Sequence, residues 1–266
     1  MRKPVGLTIA GSDSSGGAGI EADLKTMCAL GVYGTVALTS VTAQNTLGVT
    51  DAVHLEPALV AAQIDAVVGD LGVDAAKTGM LATVGIMEAV ADRVARYGIG
   101  TLVVDPVMVA TSGDPLMEAD AVEAMRDLVL PLALVATPNM PEASVLSGVT
   151  VDSREAMETA ARVIQASGPR YVLVKGGHME GAAADVLFDG NEFTWLESPR
   201  IVAGKVHGTG CTLSAAIASE LALGRDVAES VRRAKAFVTR GIATRLEMGK
   251  GSALVNHFEG AEEGDR

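Results

Sequence analysis

The stretch Leu102-Val103-Val104-Asp105-Pro106 indicates the fold class most directly. Three consecutive aliphatic residues favour a strand that is buried on both faces. The run stops at an aspartate and a proline, which are typical of the start of a loop. A strand of this kind belongs in a parallel sheet covered by helices, and its carboxyl end opens onto a polar loop.

Similar apolar runs recur along the chain and alternate with helical patterns. The other predicted strands are Val5–Ala10, Gly34–Val41, Val49–Leu55, Ala75–Thr78, Leu134–Thr137 and Tyr171–Lys175. The main predicted helices are Gly19–Leu30, Pro57–Val68, Thr83–Tyr97, Thr209–Leu223 and Val227–Met248. This alternation predicts an α/β fold, with a central, mainly parallel sheet flanked by helices on both faces.

Two segments depart from this alternation of strands and helices. Residues 33–56 contain a pair of predicted strands without a helix between them, which indicates a small strand flap that serves as a lid or a dimer surface. Residues 262–266 form a charged tail that we expect to be disordered. No repeat or Pro/Gly/Ser-rich linker divides the chain, so we expect one domain over residues 1–266.

The composition of the chain limits its binding partners, its compartment and its metal chemistry. The formal net charge of −12 argues against nucleic acid or an anionic membrane as a partner. The apolar run after Arg2 and Lys3 is too short for a signal peptide, and no stretch has the length of a membrane span, so we expect a cytoplasmic protein. Two cysteines provide neither a disulfide framework nor a Cys/His zinc cluster.

Polar residues follow several of the predicted strands. Gly11-Ser12-Asp13 ends the first strand, Asp105 ends the strand at 102–104, and Lys175 ends the strand at 171–175. Asn139 and Glu142 follow the strand at 134–137. Because the carboxyl ends of parallel strands share one edge of a sheet, the pattern predicts a ligand site at that edge.

Asp105, Asn139 and Glu142 have structural alternatives to a role in binding a ligand. Asp105 suits Mg²⁺, directly or through water, but aspartate at a strand end also caps helices and forms turns. Asn139 and Glu142 are spaced to face one ligand from one helical turn, or to form a capping box. Lys175 in a Gly-Gly turn suits a phosphate group.

The segment Val206-His207-Gly208-Thr209-Gly210-Cys211-Thr212 precedes an apolar helical pattern. Glycines at a helix start let several backbone N–H groups converge on an anion, which the helix dipole also favours. We expect the same field to lower the pKa of Cys211 and make the thiol a base or nucleophile. This combination suits phosphoryl transfer to a hydroxyl group, and the alternative is a tight turn followed by an inert, buried cysteine.

Taken together, the motifs resemble those of the hydroxymethylpyrimidine/phosphomethylpyrimidine kinases of thiamine biosynthesis, within the ribokinase-like superfamily. The motifs are Ala10-Gly-Ser-Asp-Ser-Ser-Gly-Gly-Ala-Gly-Ile20, Ala43-Gln-Asn-Thr46, Lys77-Thr-Gly-Met80, Asp105-Pro-Val-Met108, Ser112-Gly-Asp-Pro115, Thr137-Pro-Asn-Met-Pro-Glu142, Lys175-Gly-Gly-His178 and His207-Gly-Thr-Gly-Cys-Thr212. The resemblance covers essentially the whole chain. It implies ATP-dependent phosphorylation of 4-amino-5-hydroxymethyl-2-methylpyrimidine, first to its monophosphate and then to its diphosphate, by a homodimer.

The resemblance also suggests roles at the phosphate end of the site. Most ribokinase-like relatives carry an aspartate where this chain has Cys211, and the pyrimidine kinases carry a cysteine, so Cys211 is interpreted as the base. The resemblance assigns Gly208, Thr209 and Gly210 to the transferring phosphoryl group. It assigns Mg²⁺, held largely through water, to Asp105, Asn139 and Glu142. ATP is assigned to Asn139, Glu142, Lys175 and His207. Lys175 adds positive charge near the phosphates.

The pyrimidine end is assigned in the same way. The Gln44 amide offers a donor and an acceptor to a ring nitrogen beside an exocyclic amine, unless Gln44 is simply a surface amide of the flap. Gly11, Asp23, Met80 and Val107 resemble the rest of the family's pyrimidine pocket. Asp23 has the alternative of a solvated helix residue.

Two other functions remain open from the sequence. Pyridoxal and pyridoxine kinases share the superfamily fold and phosphorylate a hydroxymethyl group on an aza ring, although Gln44 favours an aminopyrimidine edge. A non-catalytic pyrimidine-binding protein would keep the pocket without transferring phosphate. The presence of Cys211 with Asp105 and Lys175 weighs against it.

Overall fold

The computed structural model describes residues 2–110, 113, 116, 121–177, 183–201 and 204–258. The strands are β1 Val5–Asp13, β2 Tyr33–Asn45, β3 Gly48–His54, β4 Ala75–Thr78, β5 Leu102–Val104, β6 Val135–Ala136, β7 Tyr171–Val174, β8 Ala183–Phe188, β9 Phe193–Ser198, β10 Val206–His207 and β11 Ala253–Leu254. The α-helices are α1 Gly19–Ala29, α2 Pro57–Asp70, α3 Val84–Tyr97, α4 Ala121–Ala124, α5 Met140–Ser147, α6 Arg154–Ala166, α7 Thr209–Ala222 and α8 Val227–Ala243. A π-helix at Met125–Val129 and a 3₁₀ turn at Leu130–Leu132 follow α4.

One large sheet organises this part of the chain. It has nine strands in the order β3-β2-β1-β4-β5-β6-β7-β8-β9. The strands from β2 to β7 in this order pair in parallel, while β3 at one edge and β8 and β9 at the other pair antiparallel. The predicted α/β class with a mainly parallel sheet is confirmed. β8 and β9 were not predicted from the sequence, and in β8 the reason is that Asp185 interrupts the apolar run.

The residues of β5 show why helices cover both faces of the sheet. Leu102 and Val104 belong to a core formed with α2, α3, α5 and α6, whereas Val103 belongs to a second core with α7 and α8. All three side chains are fully buried. Successive strand residues point to opposite faces, so an uninterrupted apolar run needs a helical layer on each side.

The helix boundaries follow local signals, with one wrong prediction. The Thr83 side chain accepts a hydrogen bond from Ile86 N at the start of α3, and Gly98 ends that helix at a φ of 62°. The predicted helix Val227–Met248 is wrong beyond Ala243. The backbones of Leu246 and Leu254 exchange two hydrogen bonds of 2.9 Å, and this bridge replaces further helical hydrogen bonds.

The flap is continuous with the central sheet. β2 pairs with β1 and then extends to Asn45, so Gln44 lies inside a strand and only Thr46 and Leu47 connect β2 to β3. The tail at 262–266 lies outside the described residues, and the single-domain interpretation stays a prediction. Among the helices that the structure describes, none combines the length and apolarity needed to span a membrane.

Candidate active site

A cavity of about 890 Å³ opens at the carboxyl ends of the parallel strands. It is lined by all but one of the residues predicted for the site: Gly11, Gln44, Met80, Val107, Asp105, Asn139, Glu142, Lys175, His207, Gly208, Thr209, Gly210 and Cys211. The exception is Asp23, which is fully buried. The edge predicted from the polar strand ends therefore carries a cavity large enough for a small molecule together with a nucleotide.

The phosphate end is built by the start of α7. Gly208 precedes this helix with a φ of 83°, a conformation that favours glycine. A Cβ atom on Gly208 would lie 1.8 Å from the carbonyl oxygen of Gly17, so the two glycine loops can approach only without a side chain there. The first N–H groups of an α-helix have no partner within the helix, and those of Thr209, Gly210 and Cys211 therefore form a ready anion cradle.

Cys211 lies in the first turn of α7, but its electrostatics differ from the expectation. Burial raises the pKa of the Cys211 thiol to about 11. The positive charge of Lys77 acts to lower this pKa, whereas Asp23 and Asp105 act to raise it. The prediction that the helix field leaves the Cys211 pKa below its ordinary value is wrong, because desolvation by burial outweighs the Lys77 charge and the hydrogen bond from the Gly19 backbone, which act to lower this pKa.

A buried ion pair lies next to this thiol. The Lys77 ammonium bonds to both carboxylate oxygens of Asp23, at 3.1 and 2.9 Å, and both side chains are fully buried. Thr8 Oγ1 donates to Asp23 Oδ2 at 2.6 Å. Asp23 is therefore occupied inside the protein and does not line the cavity, so its expected contact with the pyrimidine is not part of this geometry.

Lys77 is a site residue to which the sequence analysis gave no role. It lines the cavity, and its charge acts on both Cys211 and Asp105. The signal was a lysine in the short strand β4, directly after two alanines, where all four residues are buried. A lysine is almost never fully buried unless it is paired, so its position in that strand indicated an ion pair.

A second ion pair lies where β5 and β7 end. The ammonium of Lys175 lies 2.9 Å from Asp105 Oδ1, and Ser214 Oγ donates to Asp105 Oδ2 at 3.2 Å. Burial acts to raise the pKa of Asp105, but the charges of Lys175 and Lys77 hold it below the ordinary value. Gly210 adjoins this pair, because a Cβ atom there would lie 3.5 Å from Lys175 Nζ. The anion cradle at the start of α7 and the Lys175 ammonium therefore lie at the same end of the cavity.

Asn139 and Glu142 form the capping box that was the structural alternative. Asn139 Oδ1 accepts from Glu142 N, and Glu142 Oε2 accepts from Asn139 N, both at 2.8 Å. Burial raises the pKa of Glu142 to about 7, although the charge of Lys175 acts to lower it. Both residues still line the cavity, so the cap and a ligand role are compatible.

The donor set fits a solvated Mg²⁺ better than a directly coordinated one. In the described ranges, no three His, Cys, Asp or Glu side chains cluster as a metal site. Both oxygens of Asp105 have protein partners, while Glu142 is a buried carboxylate whose ionised form a nearby cation would favour. Water-mediated contact from Asp105 and Glu142 to a phosphate-bound Mg²⁺ agrees with these positions.

The pyrimidine end lies across the cavity. A Cβ atom on Gly11 would lie 2.4 Å from the Met80 terminal methyl, so Gly11 gives that side chain room at the wall. The Gln44 amide lies 3.3 Å from His207 Nε2, and His207 Nε2 lies 2.7 Å from Asp13 Oδ2. Asp13 was not among the predicted site residues, although it lies in the first motif of the resemblance.

Two predicted motifs are only partly described. Residues Ser112, Asp114 and Pro115 of one motif, and His178 of another, lie outside the described residues.

The chain is similar to known kinases in sequence. A family model described as phosphomethylpyrimidine kinase matches residues 13–256. The chain is 49% identical over 254 residues to a hydroxymethylpyrimidine/phosphomethylpyrimidine kinase of Streptomyces coelicolor, covering 96% of this chain and 94% of the relative.

Two solved structures are also similar. A phosphomethylpyrimidine kinase of Clostridium difficile has 41% identity and a TM-score of 0.81, covering 90% of this chain and 100% of that one. An ADP complex of Bacillus subtilis pyridoxal kinase has 39% identity and a TM-score of 0.89, covering 96% and 98%. These likenesses confirm the ribokinase-like fold.

Proposed function

The chain belongs to the phosphomethylpyrimidine kinase family, and from this premise we propose that it phosphorylates 4-amino-5-hydroxymethyl-2-methylpyrimidine with ATP, first to the monophosphate and then to the diphosphate. The observation that supports this most is that one cavity joins the Gln44 amide to the anion cradle of α7. An amide suits the edge of an aminopyrimidine, and the cradle suits a phosphoryl group. The product supplies the pyrimidine half of thiamine diphosphate.

The proposed mechanism assigns each group a task. The substrate hydroxyl attacks the γ-phosphorus, the bond to ADP breaks, and the hydroxyl proton passes to the Cys211 thiolate. The N–H groups of Thr209 and Gly210 and the ammonium of Lys175 stabilise charge on the transferring group. Because the pKa of Cys211 is raised to about 11, only a small fraction is thiolate at neutral pH, and the charge of Lys77 favours that form.

We propose Mg²⁺ as the companion of ATP, reached largely through water by Asp105, Asn139 and Glu142. When bound, it neutralises charge on the nucleotide phosphates. Asn139 and Lys175 form an isolated backbone bridge, which brings the capping box beside the Lys175 ammonium. These groups, together with His207 at the start of the cradle, form the proposed nucleotide-phosphate side of the cavity.

We also propose a homodimer formed through the β2–β3 edge. Val41 and Val53 are direct cross-strand partners, and they are 46% and 62% exposed. Within the part of the chain that the structure describes, β3 is the last strand at its edge of the sheet, and such an edge can pair with a strand of another chain. An exposed apolar pair on such an edge favours association with a second copy. The two cysteines are free, and with ATP as the donor we propose the cytoplasm as the compartment.

Pyridoxal phosphorylation is the second candidate, because the likeness to the Bacillus subtilis pyridoxal kinase also covers 96% of this chain, with a TM-score of 0.89. Both substrates carry a hydroxymethyl group on a six-membered aza ring. The acceptors therefore need direct comparison in one assay.

The test is phosphate transfer from Mg-ATP to hydroxymethylpyrimidine, its monophosphate and pyridoxal in parallel. We expect turnover of both pyrimidines, with pyridoxal much slower. Faster turnover of pyridoxal would assign the protein to vitamin B6 phosphorylation. Binding of the pyrimidine without transfer to any acceptor would leave a binding protein with a kinase fold.

A further inference from the structure

A chain of polar groups runs along the cavity wall and ends on both sides of the Gln44 amide. His207 Nε2 lies 2.7 Å from Asp13 Oδ2 and 3.3 Å from the amide. On the other side, Thr42 Oγ1 lies 3.0 Å from the amide and 2.9 Å from the Ser12 carbonyl oxygen. The amide therefore has one neighbour on each side, and the donor and acceptor capacity of those neighbours decides its orientation.

The first link is Asp13, which is held as an acceptor. Its Oδ1 accepts from Ser15 N, and its Oδ2 accepts from Ser15 Oγ and Ala18 N, each at 2.9 Å. Burial acts to raise the pKa of Asp13, but the hydrogen bonds from His207 and Ser15 hold it below its ordinary value. An ionised carboxylate offers no hydrogen, so the hydrogen between Asp13 and His207 belongs to His207 Nε2.

The second link is Thr42, which has one hydroxyl hydrogen. The Ser12 carbonyl oxygen accepts only, so Thr42 gives its hydrogen to Ser12 and offers a lone pair to Gln44. With its nitrogen beside His207, the amide would set two donors against each other at 3.3 Å. With its oxygen beside His207, the Nε2–H that bonds to Asp13 at 2.7 Å meets a second, weaker acceptor at 3.3 Å instead of another donor. The amide nitrogen then donates to Thr42 Oγ1 at 3.0 Å. The hydrogen-bond partners of an amide distinguish its oxygen from its nitrogen.

We propose that Asp13 and His207 fix the orientation of the Gln44 amide, with its oxygen toward His207, and thereby select a ring whose amine lies on the cradle side. The backbone of Gln44 is separately anchored, because Ser14 Oγ donates to Gln44 O and accepts from Gln44 N, both at 2.8 Å. His207 and Asp13 are positioning residues in this proposal, since Gln44 contacts the ring.

The consequence for the substrate rests on the proposed function. The amide oxygen accepts from the 4-amino group, and the amide nitrogen donates to the ring nitrogen beside it. The amino group then lies toward His207, and so does the 5-hydroxymethyl group next to it on the ring. Because His207 adjoins Gly208, this pose directs the reacting hydroxyl toward the cradle and Cys211. The reverse amide would direct it away.

The test compares this substrate with its 4-oxo analogue, whose ring N–H and carbonyl oxygen reverse the donor and acceptor. Wild type should strongly prefer the amine in kcat/KM. His207→Leu removes the donor, while Asp13 keeps its bonds to Ser15 and Ala18, and we expect the preference to fall by about tenfold or more. His207→Gln, which can still donate to Asp13, should retain it. An unchanged preference in the leucine variant overturns the proposal.

A second readout does not depend on catalysis. In the ligand-free protein, ¹⁵N NMR of the His207 imidazole should show a hydrogen on Nε2 at neutral pH, and an unprotonated Nε2 overturns the proposal. Calorimetry without ATP measures the binding of the substrate and of its 4-oxo analogue. It gives the preference between them even if neither compound is phosphorylated. If neither compound is phosphorylated, the proposed function fails. The binding preference of wild type, His207→Leu and His207→Gln then still decides the role of His207.

Discussion

At the scale of single residues, the site depends on charges that are buried and paired. Lys77 and Asp23 are fully buried together, and Lys175 and Asp105 form a second pair beside them. Removing one partner of a buried pair commonly costs about 3–5 kcal/mol, because the other charge is left without compensation. Cys211 lies within the field of both pairs and of the surrounding apolar protein, which explains why its pKa cannot be inferred from the helix terminus alone.

We predict that Cys211→Ala lowers turnover by about a hundred- to ten-thousand-fold, the usual range for loss of a general base, while the fold persists. Because the pKa of Cys211 is raised to about 11, the wild-type rate should rise with pH between about 6 and 9 as the thiolate fraction grows. Steady-state kinetics over this range check both expectations.

The matched control is Cys28→Ser, since Cys28 is exposed and lies outside the cavity lining. It should retain the wild-type rate and its pH dependence. Near-normal turnover in the alanine variant, or the same pH dependence without Cys211, would show that another group accepts the proton.

At the scale of elements, helix starts organise both ends of the phosphate site. α7 begins at the cradle with a left-handed glycine, and α5 begins at the capping box of Asn139 and Glu142. These local motifs stabilise the helices and also place polar groups at the cavity. The structural and ligand interpretations of the same residues are therefore both satisfied.

We predict that Gly208→Ala is far more destabilising than Gly224→Ala, which provides the control at the other end of α7. Both glycines have positive φ, 83° and 85°, so each alanine carries a similar backbone strain. Only at Gly208 does the new Cβ meet another backbone atom, the Gly17 oxygen at 1.8 Å. Urea unfolding should give about 1–2 kcal/mol for Gly224→Ala and several more for Gly208→Ala. Equal losses would contradict the close approach of the two loops.

Glu142 predicts a pH dependence of stability. Its pKa is about 7 in the folded protein, above its ordinary value of 4.5, so folding favours the neutral form. The contribution is present below pH 4.5 and is lost as pH rises through 7. Glu142→Gln should therefore gain stability relative to wild type between these values, by about 3 kcal/mol.

The measurement is urea unfolding at a series of pH values, with Glu88→Gln as the control because Glu88 is exposed on α3. A difference between Glu142→Gln and wild type that stays constant with pH would show that Glu142 is ionised without cost in the folded protein. The control should show no change over the same range.

At the scale of the whole molecule, the sheet connects the active site to the proposed dimer surface. β2 is paired with β1 in the centre, carries Gln44 near its end, and presents Val41 beside Val53 of β3. A second copy at this edge would therefore lie close to the strand that holds the pyrimidine-facing amide.

We predict that Val53→Lys converts a dimer into a monomer, because it places a charge within the apolar pair of the β2–β3 edge. Val163→Lys on α6 is the control, since Val163 is an exposed valine as well, at 42%, but lies away from the β2–β3 edge. Sedimentation velocity measures the masses. A monomeric wild type, or a dimer that persists in Val53→Lys, would place the association at another surface or exclude it.

The fold class and most of the residues around the cavity follow from the sequence alone, although Lys77 and Asp13 do not. Apolar strands ending in polar residues imply a parallel sheet with ligand groups at one edge, and those residues lie around one cavity. Asp23, which was assigned from the resemblance alone, lies in α1 and does not line the cavity. Local patterns such as the cap of α3 and the glycine before α7 were readable because they depend on neighbours in the chain.

The electrostatics of the site and the hydrogen-bond and ion-pair partners of its residues depend on the tertiary structure. The pairing of Lys77 with Asp23, the raised pKa of Cys211 and the contact between Asp13, His207 and Gln44 join residues that are far apart in sequence. Burial and charge act through space, so their balance depends on distances that no local pattern contains. The early end of α8 has the same origin, because a bridge to Leu254 replaced its last turn.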